Sequence, residues 1–317
     1  MGWLTALRED IYPATPFPDF ADGATFGLAT ARAMAWAAQL AYEVRNEPKL
    51  DRILNRWGWR PRNILARQFN SVLKLTSTKG FVAISGDMTI ISFAGTEPTS
   101  VANWLTDLAF FKTPFGIHEG FQAGADVVWS QVRAAGANAA GGIFLTGHSL
   151  GAAIAALSAQ RLLAESVITS ERLIGIYTIG MPRAGNEAFA AGYDSDSSGL
   201  LGLRTYRLVH GEDIVPDVPP ASPPFGFRHV GRLLACPRGG SFDPAQLEPP
   251  APERPQAGSG IAESIGEVIG AGSARVLAPY PGEAPVARAI VDALPGPLRD
   301  HIPDRYLAAL SHDSAGG

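Results

Sequence analysis

The sequence has a single cysteine, Cys236, in 317 residues, so no internal disulfide framework can form, and no CxxC or His/Cys spacing marks a structural zinc. Its simplest role is a small buried hydrophobe. Long apolar runs are missing too: nothing approaches the ~18–20 consecutive apolar residues that cross a bilayer. Neither sign of charge dominates. With 26 basic and 30 acidic residues the formal net charge is −4, and no basic cluster is present, which argues against nucleic acid as a partner. The first residues lack a basic stretch followed by a long apolar one, so the cytoplasm is the simplest expected location. A secreted chain shortened ahead of Met1 would look the same. What the chain does have is 46% hydrophobic and 18% charged residues, the balance of a well-cored globular protein. One domain over residues 1–317 is expected, with a Pro/Gly-rich insertion at 237–285.

Taken in order, the Pro-rich stretch through Tyr12-Pro-Ala-Thr-Pro-Phe-Pro18 is expected to lie across the surface. Thr25–Tyr42 has helical spacing, and Pro48 separates it from a second helical piece ending near Trp57-Gly58-Trp59. Three strand-like segments follow, Asn70–Thr76, Gly80–Ser85 and Met88–Ala94, with Gly86-Asp87 as a hairpin turn. A helix is expected from His118 to about Ala135, then strands at Ile143–Thr146, Leu173–Ile179 and Thr205–Val209. Asp194–Gly199 reads as a solvated loop, Gly260–Ile269 as a possible helix inside the insertion, and the chain turns helical again toward Leu307–Leu310. Strands alternating with helices imply a mixed, mostly parallel sheet flanked by helices.

At the centre stands Ile143-Phe-Leu-Thr-Gly-His-Ser-Leu-Gly-Ala-Ala-Ile154. Strand, G-x-S-x-G turn and small-residue helix are the three parts of a nucleophile elbow, in which a strained turn exposes the hydroxyl of Ser149 above the sheet. Gly147 and Gly151 remove Cβ atoms where strand and helix approach, and the helix N-terminus directs positive potential at the serine.

A serine hydroxyl needs a base as it attacks, and the base needs a carboxylate to hold its second ring nitrogen. On an α/β-hydrolase fold these follow in the order Ser, acid, His. The acid candidates Glu212, Asp213 and Asp217 all follow the Thr205–Val209 strand, where α/β sites are built. Asp213, between Gly211 and the apolar Ile214-Val215, is the one placed for burial toward the sheet. Order excludes His118 and His210 as base, and His148 leaves the turn in another direction. His312 falls in a small polar tail, which leaves His301, where an irregular segment enters the last helix, and His229 as open alternatives.

A set of short motifs in fixed order now carries a resemblance. They are Ile91-Ser-Phe-Ala-Gly-Thr-Glu97, Asn103-Trp-Leu-Thr-Asp-Leu108, His118-Glu-Gly-Phe121, Gly147-His-Ser-Leu-Gly151 and Gly180-Met-Pro-Arg-Ala-Gly-Asn186. Arg207–Pro216, Phe227-Arg-His229, and Asp300-His301 with Tyr306 complete it. Together they resemble the class 3 lipases, the fungal-type triacylglycerol lipases and their relatives. The resemblance implies an α/β-hydrolase fold with a lid within Thr96–Ala109. It also implies His301 as base with His229 structural, Asp213 as acid, and an oxyanion hole from Thr96 and Leu150. The family usually has arginine before the Gly-Thr pair, where this chain has Ala94.

The expected activity is therefore that of a serine carboxylester hydrolase, a lipase cleaving acylglycerols through an acyl-enzyme, with no metal or organic cofactor. Phospholipase A1 and feruloyl-type esterases use the same constellation. A non-catalytic α/β-hydrolase scaffold serving as a binding module is the alternative from a different class. Trp104, Phe110, Phe111 and Phe115 are expected to line an acyl groove or touch a lipid surface, with core packing the alternative for each. The expected partner is a lipid or ester substrate, with transient contact to a lipid interface, no nucleic acid and no transmembrane segment; the sequence does not give the oligomeric state.

Overall fold

Three antiparallel strands open the sheet. β1 (Arg60–Arg67) pairs with β2 (Thr78–Ser85), and β2 pairs with β3 (Met88–Phe93) across Gly86-Asp87, where Gly86 takes φ 57°. Four further strands then join in parallel: β4 (Ile143–His148), β5 (Leu173–Ile179), β7 (Thr205–His210) and β9 (Arg232–Cys236). The seven-stranded order is β1-β2-β3-β4-β5-β7-β9, a mixed and mostly parallel sheet. β6 (Gly185–Asn186) and β8 (Phe227–Arg228) form a small separate ribbon. This computed structural model describes residues 7–17, 25–67, 78–96, 111–196, 198–250 and 296–311, with the backbone alone for 62–67.

Parallel strands carry apolar residues on both faces because helices cover both. One core joins Ile91, Phe93, Ile143, Leu145 and Ile176 to residues of α3 (Glu119–Asp126), α4 (Trp129–Asn138), α5 (Leu150–Ala164) and α6 (Glu187–Asp194). The alternate strand residues Phe81, Ile90, Phe144, Tyr177 and Leu208 face α1 (Leu28–Leu40), α2 (Glu47–Arg56) and the C-terminal α8 (Pro303–Ser311), which follows the short α7 (Gly296–Asp300). The period-two alternation of the strands thus divides the apolar residues between two cores with the sheet as common wall.

Several expectations need correction. Pro48 does not separate two helices but sits in the first turn of α2, whose N-cap is Asn46 and where a missing N–H costs nothing. The helix expected over His118–Ala135 is two, α3 and α4, broken at Val127-Val128. These β-branched residues hold a helix poorly, and the break turns Val128 fully into the core. Tyr12 is not laid on the surface. Its ring is 2% exposed, 5.6 Å from Trp36 and 6.0 Å from Trp57, a burial that the apolar area of three aromatic rings favours. Asp194 is not solvated either: it ends α6 and accepts the Gly231 N–H at 2.7 Å, and burial raises its pKa. β1 and β9, the two edges of the sheet, were not foreseen. Trp57 and Trp59 are buried, and Cys236 is the small buried hydrophobe expected. The expected strand Asn70–Thr76, the helix Gly260–Ile269 and insertion residues 251–285 lie outside the described residues.

Candidate active site

The elbow has the geometry its sequence demands. Ser149 sits between β4 and α5 at φ 57° and ψ −129°, a left-handed conformation that costs a non-glycine residue of order 1–3 kcal/mol and persists only where its surroundings enforce it. They do so by close packing. A Cβ on Gly147 would lie 2.3 Å from the Gly151 carbonyl oxygen, and one on Gly151 would lie 2.4 Å from the Phe93 oxygen and 2.6 Å from that of the buried Ala94. Larger residues at either position would push the helix off the strand. The fifteen-residue α5 starts at Leu150, so its positive end lies at the serine.

Ser149, Asp213 and Thr96 follow β4, β7 and β3, all at the carboxyl ends of parallel strands. The carboxylate of Asp213 is fully buried and accepts three hydrogen bonds. Oδ1 takes the Val215 N–H at 2.9 Å, and Oδ2 takes His301 Nδ1–H at 2.8 Å and the Tyr306 hydroxyl at 2.5 Å. Because a carboxylate only accepts here, the proton of the neutral His301 ring lies on Nδ1, leaving Nε2 as a lone-pair base. The Ser149 N–H donates to the Ile179 carbonyl at 2.9 Å, and on the next residue a Cβ at Gly180 would stand 2.8 Å from Asp213 Oδ2 and 3.0 Å from the His301 ring. Serine, acid and imidazole therefore converge on the Ile179-Gly180 turn. Ser149 Oγ and His301 Nε2 are both buried, and neither has a hydrogen-bond partner among the described residues.

The loop under Asp213 is braced from below. Arg183, fully buried in the polar turn after β5, donates to the Asp217 carbonyl at 2.5 Å and the Pro219 carbonyl at 3.1 Å. His229 donates through Nε2 to the Pro216 carbonyl at 2.8 Å, so its ring supports this loop and is not hydrogen-bonded to Asp213. Glu212 turns outward to Arg238 at 2.9 Å, and its N–H donates to Asp300, which also receives Arg238 Nε at 2.9 Å. This network ties the turn carrying His301 to the loop carrying Asp213. His118 caps α3, accepting the Gly120 N–H at 3.1 Å, and burial depresses the pKa of His210 beside the Tyr306 ring.

Thr96 is half-buried and follows Gly95, whose Cβ position would be 2.7 Å from Ser149 Cβ, so the expected oxyanion loop lies against the serine. Phe111 and Phe115 are 62% and 81% exposed, so core packing does not account for them. Trp104, Phe110 and the expected lid beyond Thr96 lie outside the described residues. Sequence reasoning missed Tyr42, whose hydroxyl is 2.7 Å from His148 Nδ1, and the contact of the Tyr306 hydroxyl with Asp213. The Asp-His…Tyr spacing was the available signal for Tyr306; nothing local marked Tyr42. Among the described residues no group of three or more His, Cys, Asp or Glu could hold a metal ion, and no helix is long and apolar enough to cross a membrane.

A mixed sheet flanked by helices, with a strained serine on the strand-to-helix turn, defines an α/β-hydrolase. Residues 90–222 match the model of the class 3 lipases. A lipase of Rhizopus niveus is 34% identical over 187 residues, covering 55% of this chain and 45% of the relative. A secreted mono- and diacylglycerol lipase of Fusarium solani is 33% identical over 142 residues, covering 41% and 39% respectively. The chain thus spans less than half the length of these two relatives. Among solved structures, the lipase of Rhizopus microsporus var. chinensis superposes with a TM-score of 0.54 at 28% identity, over 80% of this chain and 88% of that one.

Proposed function

We propose that this protein is a serine carboxylester hydrolase that cleaves acylglycerols. The observation that carries the reading is the pairing of His301 Nδ1 with the buried Asp213, beside a strained Ser149 whose Oγ, like His301 Nε2, has no hydrogen-bond partner among the described residues. In this reading His301 Nε2 takes the Ser149 proton as Oγ attacks the ester carbonyl. The Leu150 N–H, at the helix N-terminus, and the N–H and hydroxyl of Thr96 receive the developing oxyanion. His301 then passes its proton to the leaving alcohol, and a water activated by the same ring releases the fatty acid. Asp213 stays ionised throughout and stabilises the imidazolium.

The lipid substrate is supported by the relatives, whose names are those of lipases and of a mono- and diacylglycerol lipase. The exposed Phe111 and Phe115, with Trp104 and Phe110, are proposed as contacts for acyl chains or a lipid surface. The Fusarium relative is described as secreted, which supports the secreted over the cytoplasmic reading for this chain. The test is a hydrolysis panel of short p-nitrophenyl esters, long-chain triacylglycerols and phosphatidylcholine, with wild type and Ser149→Ala side by side. Acylglycerol cleavage that rises sharply above the solubility limit and disappears in Ser149→Ala is the expected result. Phosphatidylcholine as preferred substrate would replace lipase by phospholipase. No hydrolysis above background by either protein would leave a binding module.

A further inference from the structure

We infer that His148, inside the elbow, is a positioning residue for the base: together with Tyr42 it fixes the backbone from which His301 extends. This rests on the proposed role of His301 and adds to it.

The proton positions follow from the partners. His148 Nε2 lies 2.7 Å from the carbonyl oxygen of His301, which can only accept, so Nε2 carries the hydrogen. His148 is wholly buried, and that burial, together with the nearby His301, drives its pKa well below the ordinary histidine range and keeps it neutral. Nδ1 is then an acceptor, and the Tyr42 hydroxyl, 2.7 Å away, must donate to it. Tyr42 thereby selects the tautomer that His301 requires. Without that hydroxyl the ring could carry its proton on Nδ1 and turn a lone pair toward the His301 carbonyl.

The base needs such a tether. His301 lies in the turn between α7 and α8, held by its own N–H to the Leu298 carbonyl at 3.2 Å. Asp213 fixes the ring at Nδ1, and His148 fixes the peptide, so the imidazole is held at both ends. The two rings lie 4.5 Å apart, centre to centre. The Tyr42 hydroxyl also stands 2.6 Å from the Cβ position of Gly95, on the loop that leads to Thr96. One pair of side chains therefore spans the oxyanion loop, the elbow and the base.

Two replacements separate the halves of this device. His148→Gln keeps a nitrogen at the reach of Nε2 and can still donate to the His301 carbonyl. His148→Asn keeps an acceptor near Nδ1 for Tyr42 but loses that donor. On a soluble short-chain ester, His148→Asn is expected to lower kcat roughly tenfold to hundredfold with KM little changed, the size expected for one buried carbonyl left unpaired. His148→Gln should recover most of that loss. Tyr42→Phe should cost roughly fivefold to tenfold, and Tyr42→Phe/His148→Asn no more than His148→Asn alone, since both act through one chain of bonds. Thermal melting of all four proteins accompanies the kinetics. Equal kcat losses in Gln and Asn variants, losses that follow melting temperature, or an unaffected His148→Asn would overturn the proposal. Ser149→Ala distinguishes the two layers: if it stays active, the proposed catalytic reading fails; if it is inactive while His148→Asn is unimpaired, only the tether fails.

Discussion

The acid–base side of the site and the loop that carries the exposed aromatics are built on opposite rules. Around Asp213 and His301 the side chains are buried, and each polar contact has a direction: three donors on one carboxylate, one histidine behind His301, an arginine beneath the loop. In the 111–118 loop the backbone and the buried Ile117 and His118 are fixed, but the two aromatic side chains are not. Thr113 and Gly116 N–H groups bond within the loop, and the Asn186 N–H bonds to the Gly116 carbonyl, while the rings of Phe111 and Phe115 stand in solvent. A proton transfer depends on atoms held within a few tenths of an ångström; contact with an acyl chain depends on apolar area and tolerates exchange. Substitutions on the two sides should differ accordingly in size and in the substrate on which they act.

The largest effect is expected from Asp213→Asn. The amide presents a donor where the carboxylate accepts from Val215, His301 and Tyr306, so the His301 tautomer is lost and kcat should fall about 10⁴-fold, the size seen when a triad aspartate becomes asparagine. Tyr306→Phe removes one of the three donors and leaves the other two. A hydrogen bond to a charged group lost in this way should lower kcat about fivefold to fiftyfold on a soluble ester, with KM held. Phe115→Ala should be the mildest. Turnover of a dissolved short-chain ester should stay within about twofold, whereas hydrolysis of an emulsified triacylglycerol should drop several-fold as a large exposed apolar surface is removed. A Phe115→Ala protein equally impaired on both substrates would erase the contrast between the two sides.

How much of this could be read in the chain varied with the range of the interactions. The elbow is local: strand, glycine-flanked turn and small-residue helix lie within twelve consecutive residues, so Ser149 was legible without any contact map. Asp213 was legible because Gly211 and Ile214-Val215 give its position a direction. The residues alone left His301 and His229 open, since both border regular structure; the family resemblance favoured His301, and the hydrogen bonds place His229 under the Pro216 carbonyl. The sheet edges were hidden for physical reasons. β1 begins Arg60-Pro61-Arg62, a polar opening that only an edge strand tolerates, and β9 offers just five residues between Gly231 and Pro237. Tyr42 was invisible as a site residue because its partner lies 106 positions away, and the carbonyl that His148 holds is a further 153 positions along. Such bonds depend on how the sheet stacks α1 and α8 on one face, and no local pattern encodes that.

In the proposed mechanism Ser149 is the nucleophile and His301 the base, with Asp213 and the elbow histidine arranged behind it. A fluorescent phosphonate ester tests it directly, with the adduct mapped by peptide mass spectrometry in wild type, His301→Ala and a folded His229→Gln protein. One adduct, at Ser149, lost in His301→Ala and retained in His229→Gln, is the predicted result. An adduct on another residue, or labelling that survives His301→Ala but vanishes in His229→Gln, would contradict the account.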